Sequence, residues 1–246
     1  MKISVITTTY NRKQLLHQTI ESVAQSILTP LVDVDFEHII YDDGSTDGTE
    51  EIFKTNSYPH VVYIQSKENK GPSFGRNKAI EQTTGDYLFL IDSDDIILQR
   101  TLYNFVNSAL KNPTIDWFVS DFIRVDADLK YELGNDYYHW KFKNPKEALT
   151  AIFKGEHFIQ SNVFFKKELF KLVGGFDENM KMAEDLDLFT RFYIRGSMPL
   201  FTDFISHLHR NHSTNISSNI NRHEHMTHVN KIKEKHKDEL RKHGII

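Results

Sequence analysis

The chain contains no cysteine, which excludes disulfides and thiolate metal sites and agrees with a cytoplasmic enzyme. No apolar run approaches the roughly 20 residues a helix needs to cross a bilayer, so membrane insertion is not expected. The opening Met1-Lys2-Ile3-Ser4-Val5-Ile6 passes directly into Thr7-Thr8-Thr9, without the long apolar region and cleavage site of a signal peptide. A basic excess is also lacking. Thirty Lys and Arg against 34 Asp and Glu leave a net charge of −4, the wrong sign for a general nucleic-acid binder. Repeats and low-complexity tracts are missing as well. What is there, 246 residues with 39% hydrophobic and 26% charged content, suits one large α/β domain with appendages.

Strands and helices alternate through the first half. Ile3 to Thr7 reads as a buried strand, Lys13 to Ile27 as a helix with Leu16, Ile20 and Val23 on one face, and Phe36 to Tyr41 as the next strand. A turn at Asp43 to Gly48, a short helix over Thr49 to Thr55, a strand over Val61 to Ile64 and a helix over Gly75 to Thr83 follow. This is βαβ architecture, a parallel sheet covered by helices. Further on, Trp117 to Val125 reads as a strand, Asp136 to Asn144 is aromatic and polar, and Pro145 to Lys154 is helical.

The apolar run Tyr87-Leu88-Phe89-Leu90-Ile91 ends directly in Asp92-Ser93-Asp94-Asp95. Carboxylates at the C-terminal end of a buried parallel strand sit where open α/β sheets hold ligands, and hard oxygen donors there suit Mg²⁺ or Mn²⁺ with a phosphate-bearing substrate. The plainer alternative is an acidic turn capping a helix over Ile97 to Leu110. A calcium EF-hand loop fails on spacing, because Ile96 and Ile97 stand where an oxygen ligand and glycine are required. A phosphatase would carry its Asp pair on the first strand. Other strand ends carry Thr7 to Arg12 and Tyr41 to Ser45, where a carboxylate such as Asp43 can accept from a base, hydroxyls can bind ribose or phosphate, and Tyr10 can stack. Ordinary turn chemistry explains each of these singly. Asn69 to Asn77 adds flexible backbone and two cations ahead of a helix, without the ending of a P-loop.

Taken together, Val5 to Arg12, Asp42-Asp43-Gly44-Ser45-Thr46-Asp47, Glu68 to Gly71 with Gly75-Arg76-Asn77, Thr84 to Tyr87, and Asp92 to Asp95 resemble the family 2 type of inverting glycosyltransferases. The likeness continues through Gly174-Gly175-Phe176-Asp177-Glu178 and Ala183-Glu184-Asp185. It implies a GT-A fold: a mostly parallel, Rossmann-like central sheet flanked by helices. Residues 1–215 would form the domain, with a nucleotide-sugar half (1–115), an acceptor half (116–215) and a basic helical tail (216–246). It also implies a nucleotide-diphosphate sugar, a UDP-sugar by expectation, a Mn²⁺ or Mg²⁺ ion, and a glycan or lipid-linked glycan acceptor. By motif, Thr8, Tyr10, Asp43, Arg76, Asp92, Ser93 and Asp94 become donor-binding residues. Metal contact falls chiefly on Asp94 with Asp92, and a like role is open to Asp95.

An inverting transfer needs a carboxylate opposite the leaving group to accept the acceptor proton. Asp185 matches the family's base position, with Glu184 and Phe176 on the acceptor side, although acids here also suit a helix start and Phe176 could equally be core. Arg210-x-His212 resembles a family segment whose His reaches the metal or diphosphate, with His209 replacing the usual aromatic and Arg210 available to phosphate. A polar loop is the plainer reading. The tail, Arg222 to His243, reads as a helix with a thin stripe of Met226, Val229 and Ile232. That stripe would pack on the body or lie on anionic lipid at the inner face of the plasma membrane. His223-Glu224-His225-Met226-Thr227 is no zinc-protease motif, because threonine stands where the second histidine belongs. A nucleotidyltransferase would carry a Gly-rich loop after the first strand, and Thr7 to Arg12 has no glycine. A non-catalytic module would not need Asp185 alongside Asp92 and Asp94.

Overall fold

The computed structural model describes residues 1–27, 34–133, 142–156, 159–215 and 221–246. Residues 136–141 of the aromatic, polar stretch and 216–220 at the expected tail boundary lie outside them.

The nucleotide-binding half is built from β1 (Lys2–Thr9), α1 (Lys13–Ile27), β2 (Asp35–Asp42), α2 (Glu51–Thr55), β3 (Val61–Gln65), α3 (Pro72–Glu81) and β4 (Tyr87–Leu90). β1 pairs in parallel with β2 and β4, and β2 with β3. All four residues of β4 are buried, as a strand covered on both faces must be. The register sets Thr9 beside Asp42 and Ile6 beside Leu90. The polar segments that follow these strands therefore gather at one sheet edge.

Next come β5 (Ile96–Ile97), α4 (Thr101–Lys111), β6 (Trp117–Val125), α5 (Pro145–Phe153), β7 (Phe164–Lys166) and α6 (Lys167–Leu172). The chain finishes with α7 (Glu184–Ile194), β8 (Leu200–Arg210), α8 (Arg222–Lys235) and α9 (Lys237–Lys242). One sheet runs β3-β2-β1-β4-β7-β6-β8-β5. β7 is antiparallel to β4 and β6, and β5 to β8, while β6 and β8 are parallel. The sheet is thus mixed, with β7 and β5 running against the common direction.

The helix expected from Ile97 begins at Thr101 instead. Ile96 and Ile97 pair with Leu208 and His207 of β8, a partner more than a hundred residues away that local periodicity cannot show. β8 also takes in His207 to Arg210, for which a polar loop is the plainer of the two sequence readings. His207 is fully buried and stacks on Phe122 at 5.4 Å, so histidines fill strand positions that read as polar.

The core is continuous into the tail. Val229, Ile232 and Leu240 are each 0% exposed and belong to the same apolar cluster as Leu88, Trp117 and Phe189. The stripe that could have faced lipid is consumed by the protein's own interior, which leaves the membrane-surface reading without its apolar face. Among the described residues no helix is long and apolar enough to cross a membrane.

Candidate active site

A cavity of about 640 Å³ opens at the C-terminal edge of β1, β2 and β4, lined among others by Thr8, Tyr10, Arg12, Asp43, Arg76 and Asp92 to Asp94, and across from them by Lys181 to Leu186. Its size falls in the usual range for small-ligand sites. Of the residues read from the sequence, Thr8, Tyr10, Asp43, Arg76, Asp92, Ser93, Asp94, Glu184 and Asp185 all line it. Tyr10 is 45% exposed, with ring surface available for stacking.

Asp43 carries a structural duty as well. Its carboxylate accepts from the backbone N–H of Lys70 (3.0 Å) and Gly71 (2.7 Å). Gly71 sits at φ 94°, a conformation that favours glycine and turns its amide toward Asp43. One carboxylate thereby orders the loop that starts α3.

Arg76, buried on α3, joins the two sides of the cavity. Its guanidinium donates to Asp92 Oδ1 at 2.9 Å and, through the other nitrogen, to Glu184 at the start of α7. Burial alone would lower its pKa, but Glu184, Asp92 and Asp185 outweigh burial and raise it, so the charge stays. Asp92 Oδ2 accepts from Ser161 Oγ at 2.7 Å. Glu184, expected toward the acceptor, is thus committed to Arg76. Of the two readings of Phe176, the acceptor side and the core, the structure has the core: it is 3% exposed, under Arg76, whose guanidinium lies 5.5 Å from the ring. Its backbone N–H and C=O each bond the Asn77 side chain at 2.9 Å. Gly175, at φ 75°, could not carry a Cβ without meeting Asn77 Oδ1 at 3.1 Å and Phe170 Cζ at 3.2 Å.

Asp94 Oδ2 is met by Arg12 Nη1 at 2.6 Å, His212 Nε2 at 3.1 Å and Asn215 Nδ2 at 3.3 Å. Burial raises the carboxyl pKa, and His212 and Arg12 more than reverse it, so the group is held ionised. Arg12 also lies 2.9 Å from His212 Nε2 and donates to Thr214 O at 2.8 Å. Arg12 stands in its motif with no role legible from its neighbours, because its partners Asp94 and His212 are about 80 and 200 residues distant.

Asp95 does not reach the cavity. It is 0% exposed, accepting from Asn162 Nδ2 (2.7 Å) and the Arg210 backbone N–H (2.9 Å). Burial pushes its pKa up despite His209. His209 lies 3.3 Å from that carboxylate and 2.7 Å from Gln160 Nε2, and it packs edge-on to Phe122, as an aromatic would. Arg210, expected near phosphate, is buried and donates to Gln18 Oε1 at 2.6 Å. His212 alone of this segment meets the Asp94 carboxylate.

α7 begins on Ala183, a non-glycine residue at φ 56°. Such a conformation costs energy and is retained where the fold over-determines it; here it precedes Glu184 and Asp185. The Asp185 carboxyl is pushed up to about 7, by burial first and then by Glu184, with Arg76 and the Leu186 amide opposing. Asp187, fully buried, faces away from the cavity toward Arg191, Lys235 and His236.

Among the described residues no group of three or more His, Cys, Asp or Glu is poised around one metal position. The donors that converge are Asp94 Oδ2 and His212 Nε2, a carboxylate and an imidazole. Both already lie against Arg12 Nη1, at 2.6 Å and 2.9 Å, so they would hold Mn²⁺ or Mg²⁺ only with that guanidinium displaced and with diphosphate oxygens and water as the remaining ligands.

The family model described as "Glycosyl transferase family 2" matches residues 4–174. The chain is 35% identical over 113 residues to the poly(ribitol-phosphate) beta-N-acetylglucosaminyltransferase TarP of Staphylococcus aureus, covering 45% of this chain and 34% of that protein. It is 27% identical over 209 residues to the uncharacterized glycosyltransferase YfnE of Bacillus subtilis, covering 83% of this chain and 45% of that one. The chain therefore spans less than half the length of either relative. Its fold is similar to the crystal structure of S. aureus TarS 1-349 in complex with UDP-GlcNAc, at TM-score 0.74, 22% identity, and coverage of 94% of this chain and 66% of that one. With most of its length inside the family match and the GT-A arrangement of its sheet and helices, the chain belongs to glycosyl transferase family 2.

Proposed function

We propose that the chain transfers a hexose from a UDP-sugar to a glycan acceptor with inversion, using Asp185 as general base. The observation that carries this reading is that one cavity holds Asp92 and Asp94 at a strand end and, on α7, an Asp185 carboxyl raised to about 7. A base with a pKa near the working pH combines a useful ionised fraction with real basicity. The donor reading draws support from a protein of the same fold that holds UDP-GlcNAc, and the acceptor reading from a relative named for a polyol-phosphate polymer.

Asp185 takes the proton of the acceptor hydroxyl as that oxygen bonds to the anomeric carbon. The bond from that carbon to the diphosphate oxygen breaks on the opposite face, and UDP leaves with the electron pair. Thr8, Tyr10 and Asp43 hold the nucleoside, Asp43 both directly and by ordering the Gly71 loop. Arg76 keeps Asp92 and α7 in fixed relation, so donor and base share one frame. Asp94 and His212 would hold Mn²⁺ or Mg²⁺, whose bound charge supports the leaving diphosphate.

The test is to screen UDP-sugars for hydrolysis and transfer with and without Mn²⁺, then read the product anomer by NMR coupling. An α-linked donor should give a β-glycoside. An α-glycoside would contradict single displacement, and full activity in excess EDTA would remove the metal.

A further inference from the structure

The family match ends at residue 174, yet the cavity wall continues beyond it through Lys181, Asp185 and, from α8, His225 and His228. Three residues apart, the two imidazoles fall on one helical face, and both are half-buried. Burial, and then its neighbour His228, hold His225 below the usual imidazole pKa.

This wall is held in place. One turn further along α8, Val229 and Ile232 are sealed in the core. Lys235 bonds Asp177 Oδ2 at 2.6 Å and Asp187 Oδ1 at 2.8 Å, and His236 lies 2.8 Å from the same Asp187 oxygen. Asp187 sits two residues past Asp185 on α7, so the helix that carries the base and the helix that carries the imidazoles are joined through the buried Asp187 carboxylate.

The cations of the cavity differ in what they are free to do. On the donor side Arg12 and Arg76 are committed to Asp94, Asp92 and Glu184. Lys181, on the loop entering α7, is exposed and makes no hydrogen bond or ion pair among the described residues. The available positive charge therefore stands on the side where the acceptor must approach Asp185.

We propose that Lys181, His225 and His228 form an acceptor subsite for a phosphate-bearing chain, binding a phosphodiester of a polyol or glycan while a neighbouring hydroxyl faces Asp185. The proposal rests on the transferase reading above. A lysine and two imidazoles supply donors to phosphate oxygens without a metal, and Lys181 need break no ion pair among the described residues to bind one.

The test uses the full chain saturated with UDP, titrated with D-ribitol 5-phosphate and followed by imidazole ¹H–¹⁵N correlations and calorimetry; ribitol and inorganic phosphate form separate arms. Ribitol 5-phosphate should shift the His225 and His228 resonances. Lys181→Gln and His228→Gln should each weaken it by about tenfold or more, the scale of one lost hydrogen bond to a charged group. Lys181→Arg should restore binding, and UDP affinity should stay within about twofold because the donor contacts are separate. Equal shifts from inorganic phosphate would mean an adventitious ion only and overturn the proposal, as would equal binding of ribitol or unchanged affinity in both Gln variants. Should wild type fail to bind UDP, the donor reading falls and the subsite with it. If UDP binds and ribitol 5-phosphate moves neither imidazole, the subsite alone falls.

Discussion

Asp185 shows how one side chain is set for chemistry by what surrounds it. Its pKa is raised from 3.8 to about 7, burial being the larger cause and Glu184 the next. A raised carboxyl favours the fold while protonated, so its contribution is full below the unfolded value and is lost as pH rises through about 7. Transfer has the opposite requirement, because only the carboxylate accepts a proton. The rate should therefore climb with pH up to about 7 and level off above it. Asp185→Asn should lose about 10²-fold or more of transfer and erase that limb, yet melt no lower than wild type at pH 8. Rate–pH profiles with matched thermal scans check both, and an unchanged limb in the variant would assign the base elsewhere.

At the level of elements, α7 is the part on which everything converges. Its first turn carries Glu184, Asp185 and Asp187, where acids suit the helix dipole, but each acid faces a different partner. Glu184 reaches Arg76 and through it the donor side; Asp187 binds the tail. Burial would raise Asp187, and His236, Lys235 and Arg191 hold it down at about 2. A depressed carboxyl stabilises above its unfolded value near 3.8 and loses that as pH falls toward about 2, a gap worth about 2 kcal/mol. Asp187→Asn should cost about 2 kcal/mol at pH 7, the worth of the depressed carboxyl that its partners hold ionised, and the deficit should shrink near pH 3. Urea unfolding at the two pH values measures this. A deficit independent of pH would show that packing, not charge, is what the residue supplies.

Considered as a whole molecule, the chain has one sheet and a tail that belongs to its core. Val229, Ile232 and Leu240 are fully buried, and each contributes about 1.5–3 kcal/mol by its burial. Removing residues 221–246 would strip these side chains from the core and free Asp187 at the same time. That sum is comparable to the stability of a typical domain, so the shortened chain should show no cooperative unfolding transition by calorimetry. A truncated protein melting within about 2 °C of the full chain, a shift small enough to mean under 1 kcal/mol, would show that the tail is an accessory.

Much of this was readable in one dimension. The helix over Lys13–Ile27 and the strand over Trp117–Val125 match the periods of their apolar residues, because an element with one buried face repeats that face at its own pitch. The acidic end of β4 was readable for the same reason: a strand buried on both sides is an unbroken apolar run, and its polar stop marks the ligand edge. Tertiary structure alone decided the rest. It paired Ile96–Ile97 with β8 and placed Arg12 on Asp94, turned Arg210 to Gln18, sank Phe176 under Arg76, and drew the tail's stripe into the core. Periodicity records which face of an element is apolar, since that depends on neighbours three or four residues away. Which charge meets which, and which apolar stripe meets protein rather than lipid, depends on segments up to two hundred residues apart and is settled only when they pack.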